Sequence, residues 1–318
     1  MKKIIEIKRL DPAFYVYWTL TDFCNFRCNY CPAKLHSGDF AQGRKQGFPT
    51  DDDINQFIDN LINKHLQGRK LHLVLSGGEP TLHPMYATII ERLTPHGIVY
   101  TNTNGSRGVE WWATLPVLPQ QVTISLHPEF SKVDKINEVA QFLLSKDIQV
   151  RFNLSCDPAH WTETMALLNN LDDNLKVLAI PKVLNHLESD RSNYEYTSEQ
   201  TEWMANQQRF YSNNKGDRRP DLSIAPYAFY DDGTSRPLHN LAKLTMNKEH
   251  AFKGWACTAG NTSINAHFDG NVWGSICKIA NLGRLESFEL LQEPLECKYD
   301  YCTCPGDILI DKRAPTSS

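Results

Sequence analysis

"FYVYWTLTDFCNFRCNYCP" (residues 14–32) begins as a β-strand and breaks into a cysteine loop. Its opening FYVYWTL (14–20) is aromatic and β-branched, the composition of a pleated, partly buried strand. Directly after it come Cys24, Cys28 and Cys31, three thiols inside eight positions. Four donors close a structural zinc site, and four thiolates hold an ordinary iron–sulfur cluster. The nearest fourth donor here is His36, and the next cysteine is Cys156. Three thiolates on a four-iron cluster would leave one iron without a protein ligand, and an open position is what separates a catalytic metal site from a closed one.

Outward from this stretch, short apolar runs recur as further strands: LHLVLS (71–76), IVYTNT (98–103), QVTISL (121–126), IQVRFNL (148–154) and LKVLAI (175–180). Helical patterns fall between them at about 51–67, 84–95, 109–114, 131–146 and 160–171. The first has a clear start: Thr50 as N-cap, then Asp51, Asp52 and Asp53 in the turn where negative charge favours the helix dipole. Strand–helix alternation implies a parallel sheet with helical crossovers. Six repeats fall short of the eight of a closed barrel. The expected fold is therefore α/β, a partial (β/α)6 TIM-like barrel over residues 1–190. The cysteine loop then lies at the C-terminal end of a strand, the face on which barrel enzymes build their sites.

Beyond residue 190 the pattern changes. Residues 191–254 are expected to bridge, with a helix at 198–213 and a strand LSIAPYAFY (222–230). Residues 255–310 hold Cys257, Cys277, Cys297, Cys302 and Cys304 together with a hairpin: INAHF, an Asp269-Gly270 turn, then NVWGSI. These read as a small cysteine-rich domain, followed by a frayed tail over 311–318.

Composition narrows the function classes. The 318 residues are 41% apolar and 22% charged, with a net charge of −4, so a nucleic-acid partner has no electrostatic support. The densest basic run, KGDRRP (215–220), reads as a solvated loop. No segment approaches the roughly 18 apolar residues of a membrane helix. The N-terminal MKKIIEIKRL has a signal peptide's lysines but no apolar core. A cytoplasmic protein without membrane partners is expected. In a reducing compartment, clustered cysteines point to metal or redox chemistry rather than disulfides. Two groups imply two sites.

The C-x3-C-x2-C spacing, with Tyr30 just before Cys31, resembles the signature of the radical S-adenosylmethionine enzymes. The resemblance implies that Cys24, Cys28 and Cys31 hold a [4Fe–4S] cluster whose open iron is chelated by S-adenosylmethionine. An electron from the cluster, supplied by a reductant such as flavodoxin or ferredoxin, would cleave that cofactor to a 5′-deoxyadenosyl radical that abstracts hydrogen from a substrate. It assigns Tyr30 to the adenine. LSGGEP (75–80) resembles the family's GGE motif, which makes Gly77, Gly78 and Glu79 the grip on the methionine amino group. Glycines admit close approach and a carboxylate accepts from an ammonium. Ser125 and Arg151 resemble contacts to ribose and carboxylate, though both residue types are commonplace at strands. TNTNGS (101–106) resembles a family loop and reads equally as a turn.

The second cysteine group resembles the SPASM and twitch auxiliary domains, with Cys257 before the hairpin, Cys277 after it and a CKYDYCTCPGD knuckle (297–307). Its C-x4-C-x-C ending departs from the SPASM pattern, which implies one auxiliary [4Fe–4S] cluster held by four of the five thiols; a structural zinc ion is the alternative. Cys156 is either a buried small residue or a hydrogen donor to a substrate radical. His127 is either substrate-facing or structural. Strand 1 starts near residue 14, so neither a leader-peptide-binding module nor a cobalamin module is expected ahead of it. The resemblance favours a peptide as the substrate to be modified; a sugar, nucleoside or other small molecule undergoing epimerisation or dehydrogenation comes next. A different class stays open: a non-catalytic iron–sulfur electron carrier, or a zinc-stabilised binding protein.

Overall fold

A computed structural model describes residues 2–31, 48–186, 192–206, 226–238, 241–302 and 305–315. Along the chain run β1 (Ile4–Lys8), β2 (Phe14–Thr21), α1 (Asp51–Asn60), β3 (Leu71–Gly77), α2 (Tyr86–Leu93), β4 (Gly97–Thr103), α3 (Val109–Ala113), β5 (Gln121–Leu126), α4 (Val133–Ser145) and β6 (Gln149–Cys156). There follow α5 (Trp161–Asn170), α6 (Asp173–Lys176), β7 (Ala179–Val183), α7 (Ser198–Ala205), β8 (Tyr227–Tyr230), β9 (Ser235–Pro237) and α8 (Leu241–Met246). The C-terminal part holds β10 (Ala256–Cys257), β11 (Ser263–His267), β12 (Asn271–Trp273), β13 (Asn281–Arg284), β14 (Leu295–Glu296), α9 (Pro305–Ile308) and β15 (Lys312–Arg313). Among the described residues no helix is long and apolar enough to cross a membrane.

The chain divides into two compact units: Met1–Trp18 with Gln46–Leu73 and Pro220–Ser318, and Thr19–Lys45 with Val74–Arg219. The division interleaves along the sequence instead of falling at one cut near residue 190. β2 and β3 each begin in the first unit and end in the second.

In the second unit β3 to β7 lie side by side, and β4 to β7 pair parallel without a register shift. The α/β expectation is met by this sheet. Period two sorts its side chains. Val122, Ile124 and Leu126 of β5 and Phe152, Leu154 and Cys156 of β6 are all buried on one face. Ile89 and Ile90 of α2 and Val139, Ala140 and Leu143 of α4 are buried on the apolar stripes of their helices. The other face is polar. Asn102, Thr123 and Arg151 stand in one row, Ser125 and Asn153 in the next, and Ser155 beside Lys182 in the third.

One expected strand is displaced. LKVLAI was expected over 175–180, but the structure winds Asp173–Lys176 into a helical turn, with Leu175 N–H and Lys176 N–H donating to the Asp172 carbonyl at 2.8 and 3.0 Å. β7 starts only at Ala179, opposite Phe152.

In the first unit α1 carries the expected cap, extended to a capping box: Asp53 N–H donates to Thr50 Oγ1 and Thr50 N–H to Asp53 Oδ2. Its Phe57 packs edge-on to Trp18 of β2 and against Phe288, with ring centroids 4.7 and 5.5 Å apart. The Asp-Gly hairpin is present as β11 and β12, with β13 continuing the antiparallel run. A six-stranded sheet, in the order β14-β10-β15-β1-β8-β9, completes the unit. β1 therefore lies inside a sheet, between β15 and β8, and the stretch expected to bridge contributes β8 to that sheet. Most of LSIAPYAFY before β8, and the end of the expected 198–213 helix, lie outside the described residues.

Candidate active site

The cysteine loop leaves β2 at Thr21 and is braced by the end of β3. Gly78 N–H donates to the Thr21 carbonyl at 2.8 Å and Glu79 N–H to the Phe23 carbonyl at 2.7 Å. Approach this close requires the two glycines. A Cβ at Gly77, whose φ is +138°, would lie 2.4 Å from the Thr21 oxygen, and one at Gly78 would lie 2.1 Å from that of Phe23. GGE is thus brought against the cysteine loop.

Glu79 is fully buried. Its Oε1 accepts from Thr81 N–H (3.1 Å), Thr81 Oγ1 (2.6 Å) and Thr103 Oγ1 (2.9 Å), and its Oε2 accepts from Asn104 N–H at 2.6 Å. Burial raises its pKa, while the hydrogen bonds oppose the rise. The carboxylate expected to accept from a ligand's ammonium is instead enclosed, so the half-buried backbone of Gly77 and Gly78 is what this stretch presents outward. Through Asn104 the brace reaches a thiol: the Asn104 amide donates to Cys24 Sγ at 3.6 Å and to Asn25 Oδ1 at 2.8 Å. TNTNGS therefore serves as more than a turn.

Cys24 and Cys28 are buried and Cys31 is half-buried; none of the three is in a disulfide. Burial pushes the Cys28 thiol up to about 12, and the charges of Cys31 and Cys24 add to the rise. Among the described residues no three His, Cys, Asp or Glu stand close enough for a single metal ion. A four-iron cluster distributes thiolates over separate irons, so the donor set fits that group.

Tyr30 is half-buried, its ring stacked on His127 at 6.0 Å and 12°, with its hydroxyl bonded to His127 Nδ1. The same nitrogen is 3.4 Å from Cys28 Sγ. Burial, helped by the Lys182 charge, lowers His127 to about 3, so its imidazole is neutral. Ser125 and Arg151 are both half-buried on the polar face, in adjacent rows. Cys156 is on the other face, 0% exposed, its thiol donating to the Leu154 carbonyl at 3.3 Å; this is the packing alternative. Burial pushes it up to about 12.

In the other unit Cys257 and Cys297 are buried and Cys277 half-buried. Cys257 feels the charge of Cys297, and Cys277 that of Cys257. Asp307, also buried, accepts from Ile276 N–H at 3.0 Å and Cys277 N–H at 2.6 Å. Cys302 is half-buried against the cluster formed by Ile7, Tyr230 and Phe252. Cys304 lies outside the described residues. Asp307 and Lys312, near the chain's end, carried no local signal of a site.

Residues 18–143 match the Radical SAM superfamily. A GTP 3',8-cyclase of Mannheimia succiniciproducens is 30% identical over 168 residues, 50% of this chain and 47% of that one. The chain spans about half the length of the curated relatives it matches. Among solved structures, anSMEcpe with bound AdoMet superposes with a TM-score of 0.56 at 16% identity, covering 87% of this chain and 79% of that one. SuiB of Streptococcus suis, bound to its precursor peptide SuiA, gives 0.51 at 11%, covering 87% and 63%. These two likenesses are likenesses of fold. The matched segment contains the Cys24–Cys28–Cys31 loop and its Gly77–Gly78–Glu79 brace.

Proposed function

We propose that the protein is a radical SAM enzyme that opens S-adenosylmethionine reductively and uses the resulting radical to abstract hydrogen from a substrate. The observation that carries this reading is the bracing of the three-cysteine loop by Gly77 and Gly78, at distances only glycine permits. Cys24, Cys28 and Cys31 would hold the [4Fe–4S] cluster, which together with the bound cofactor supplies the electron and the 5′-deoxyadenosyl radical. Gly77 and Gly78 offer backbone polar groups to the methionine end, and Tyr30 borders the adenine. Ser125 and Arg151, on the polar face, suit ribose and carboxylate. Glu79 acts from behind, holding Asn104 and through it Cys24. The sheet carrying these groups would curve as the partial barrel of this enzyme class.

The second cysteine set is read as one auxiliary [4Fe–4S] cluster with Cys257, Cys277 and Cys297 among its ligands, and Cys302 or Cys304 completing it. The favoured substrate is a peptide, in keeping with fold relatives solved with peptides. A nucleotide is the second reading, because the relatives closer in sequence are named GTP 3',8-cyclases. A flavodoxin- or ferredoxin-like protein would supply electrons.

The test is anaerobic incubation with S-adenosylmethionine and a strong reductant. Wild-type protein is expected to release 5′-deoxyadenosine, and the Cys24→Ala/Cys28→Ala/Cys31→Ala variant to release none while keeping the second centre's iron. Undiminished 5′-deoxyadenosine from that variant would refute the assignment.

A further inference from the structure

β15 pairs antiparallel with β10 so that Lys312 stands directly opposite Cys257. Opposed residues in such a pair share a face, with Cβ atoms about 4.5–5.5 Å apart. Lys312 is 3% exposed. Its ammonium donates to the carbonyls of Asp307, Ile308 and Ile310 at 2.8, 2.9 and 2.7 Å, and lies 5.0 Å from the centre of the Phe252 ring. Three donated bonds use all three ammonium protons.

Among the described residues no carboxylate comes within ion-pair distance of that charge. Asp311, the residue next to Lys312, accepts from Arg9 N–H at 2.8 Å, and Asp307 has both oxygens engaged by Ile276 N–H and Cys277 N–H. Carbonyl dipoles solvate an ammonium without neutralising it, and the Asp307 and Asp311 carboxylates feel the Lys312 charge only from beyond ion-pair distance. The group facing it across the strand pair is a thiol that becomes anionic when it binds a metal.

We propose that Lys312 is the built-in counter-charge of the second cysteine set: it stabilises Cys257 as a metal-bound thiolate and raises the reduction potential of the centre held there. This rests on the reading of that set as an iron–sulfur site. Asp307 acts with the opposite sign, bringing negative charge to the Cys277 end while fixing the Cys277 loop through two backbone N–H groups. The arrangement gives one centre a cation at one ligand and an anion at another. Charge near a cluster and hydrogen bonding around its ligands are the protein's means of setting its potential.

The test uses the full chain carrying Cys24→Ala/Cys28→Ala/Cys31→Ala, reconstituted anaerobically so that only the second centre contributes, and titrated redox-wise by electron paramagnetic resonance. Adding Lys312→Met, which keeps the length of the side chain but not its charge, is expected to disfavour reduction about tenfold, a fall of roughly 59 mV for one electron. Lys312→Arg should restore the parent value, and Asp307→Asn should move the potential upward. Unchanged potentials in Lys312→Met and Asp307→Asn, with iron retained, overturn the inference. Should Lys312→Met fail to fold, Asp307→Asn decides alone: a rise supports the inference and no change overturns it. A parent variant holding no iron, or holding zinc, overturns instead the reading beneath it.

Discussion

A Cβ built at Gly78 lies 2.1 Å from the Phe23 oxygen and 3.0 Å from the Cys24 nitrogen, and both are backbone atoms that cannot swing aside. Gly78→Ala must therefore push the cysteine loop off β3, at a cost of about 1–3 kcal/mol or more by overpacking. A lower denaturation midpoint together with impaired iron loading is the expected outcome; a variant with wild-type values for both would leave the motif without a structural reason. Cys156 makes the contrasting case. Its burial and its bond to Leu154 make it a packing residue, so Cys156→Ala should cost about 1 kcal/mol and leave product formation intact. Loss of product with 5′-deoxyadenosine still formed would return it to the role of hydrogen donor. Both sites were visible in the sequence, where Cys156 stood open between a buried small residue and a hydrogen donor. The glycines announce themselves because no other residue fits a tight approach, whereas Cys156 was placed by its nearness to a strand end. The better signal was parity: Phe152, Leu154 and Cys156 alternate with Arg151, Asn153 and Ser155, so Cys156 falls with the apolar set.

Parity works at the scale of the strand as well. β5 and β6 bring Ser125 and Arg151 to one polar face because each side chain stands an even number of residues from its polar neighbours. Replacing them together, Ser125→Ala with Arg151→Met, is expected to weaken S-adenosylmethionine binding about tenfold, or about 1.4 kcal/mol. Equilibrium dialysis on the cluster-loaded protein measures this, and unchanged affinity would take both residues out of the cofactor site. Strands with a clean alternation, QVTISL above all, were legible to the residue. LKVLAI was not, because an apolar run does not reveal that Asp172 will start a helical turn within it. β1 went unread for another reason. Its pairings are with β8 and β15, over two hundred residues away, and no local pattern encodes a partner at that distance.

Such long pairings decide how the whole chain divides. The sequence suggests a core ending near residue 190, yet Ile7, Trp18 and Phe57 are buried in the same compact unit as residues 220–318. Ile7 packs in a cluster with Ala228, Leu244 and Ile308, and Phe57 touches Phe288. A fragment of residues 1–190 would keep the cysteine loop, its glycine brace and the polar face, but would strip Ile7 of Ala228, Leu244 and Ile308 and Phe57 of Phe288. At roughly 1.5–3 kcal/mol for each large apolar side chain re-exposed, these two losses amount to a sizeable part of a domain's net stability of about 5–15 kcal/mol. The fragment is therefore expected to bind a hydrophobic dye, to unfold without a cooperative transition and to load iron poorly, although it contains every ligand proposed for the first cluster. Calorimetry on the fragment beside the full chain is the check. A sharp transition in the 1–190 piece, with iron loading like that of the parent, would mean that the C-terminal residues are an appendage and not part of what holds β2 in place.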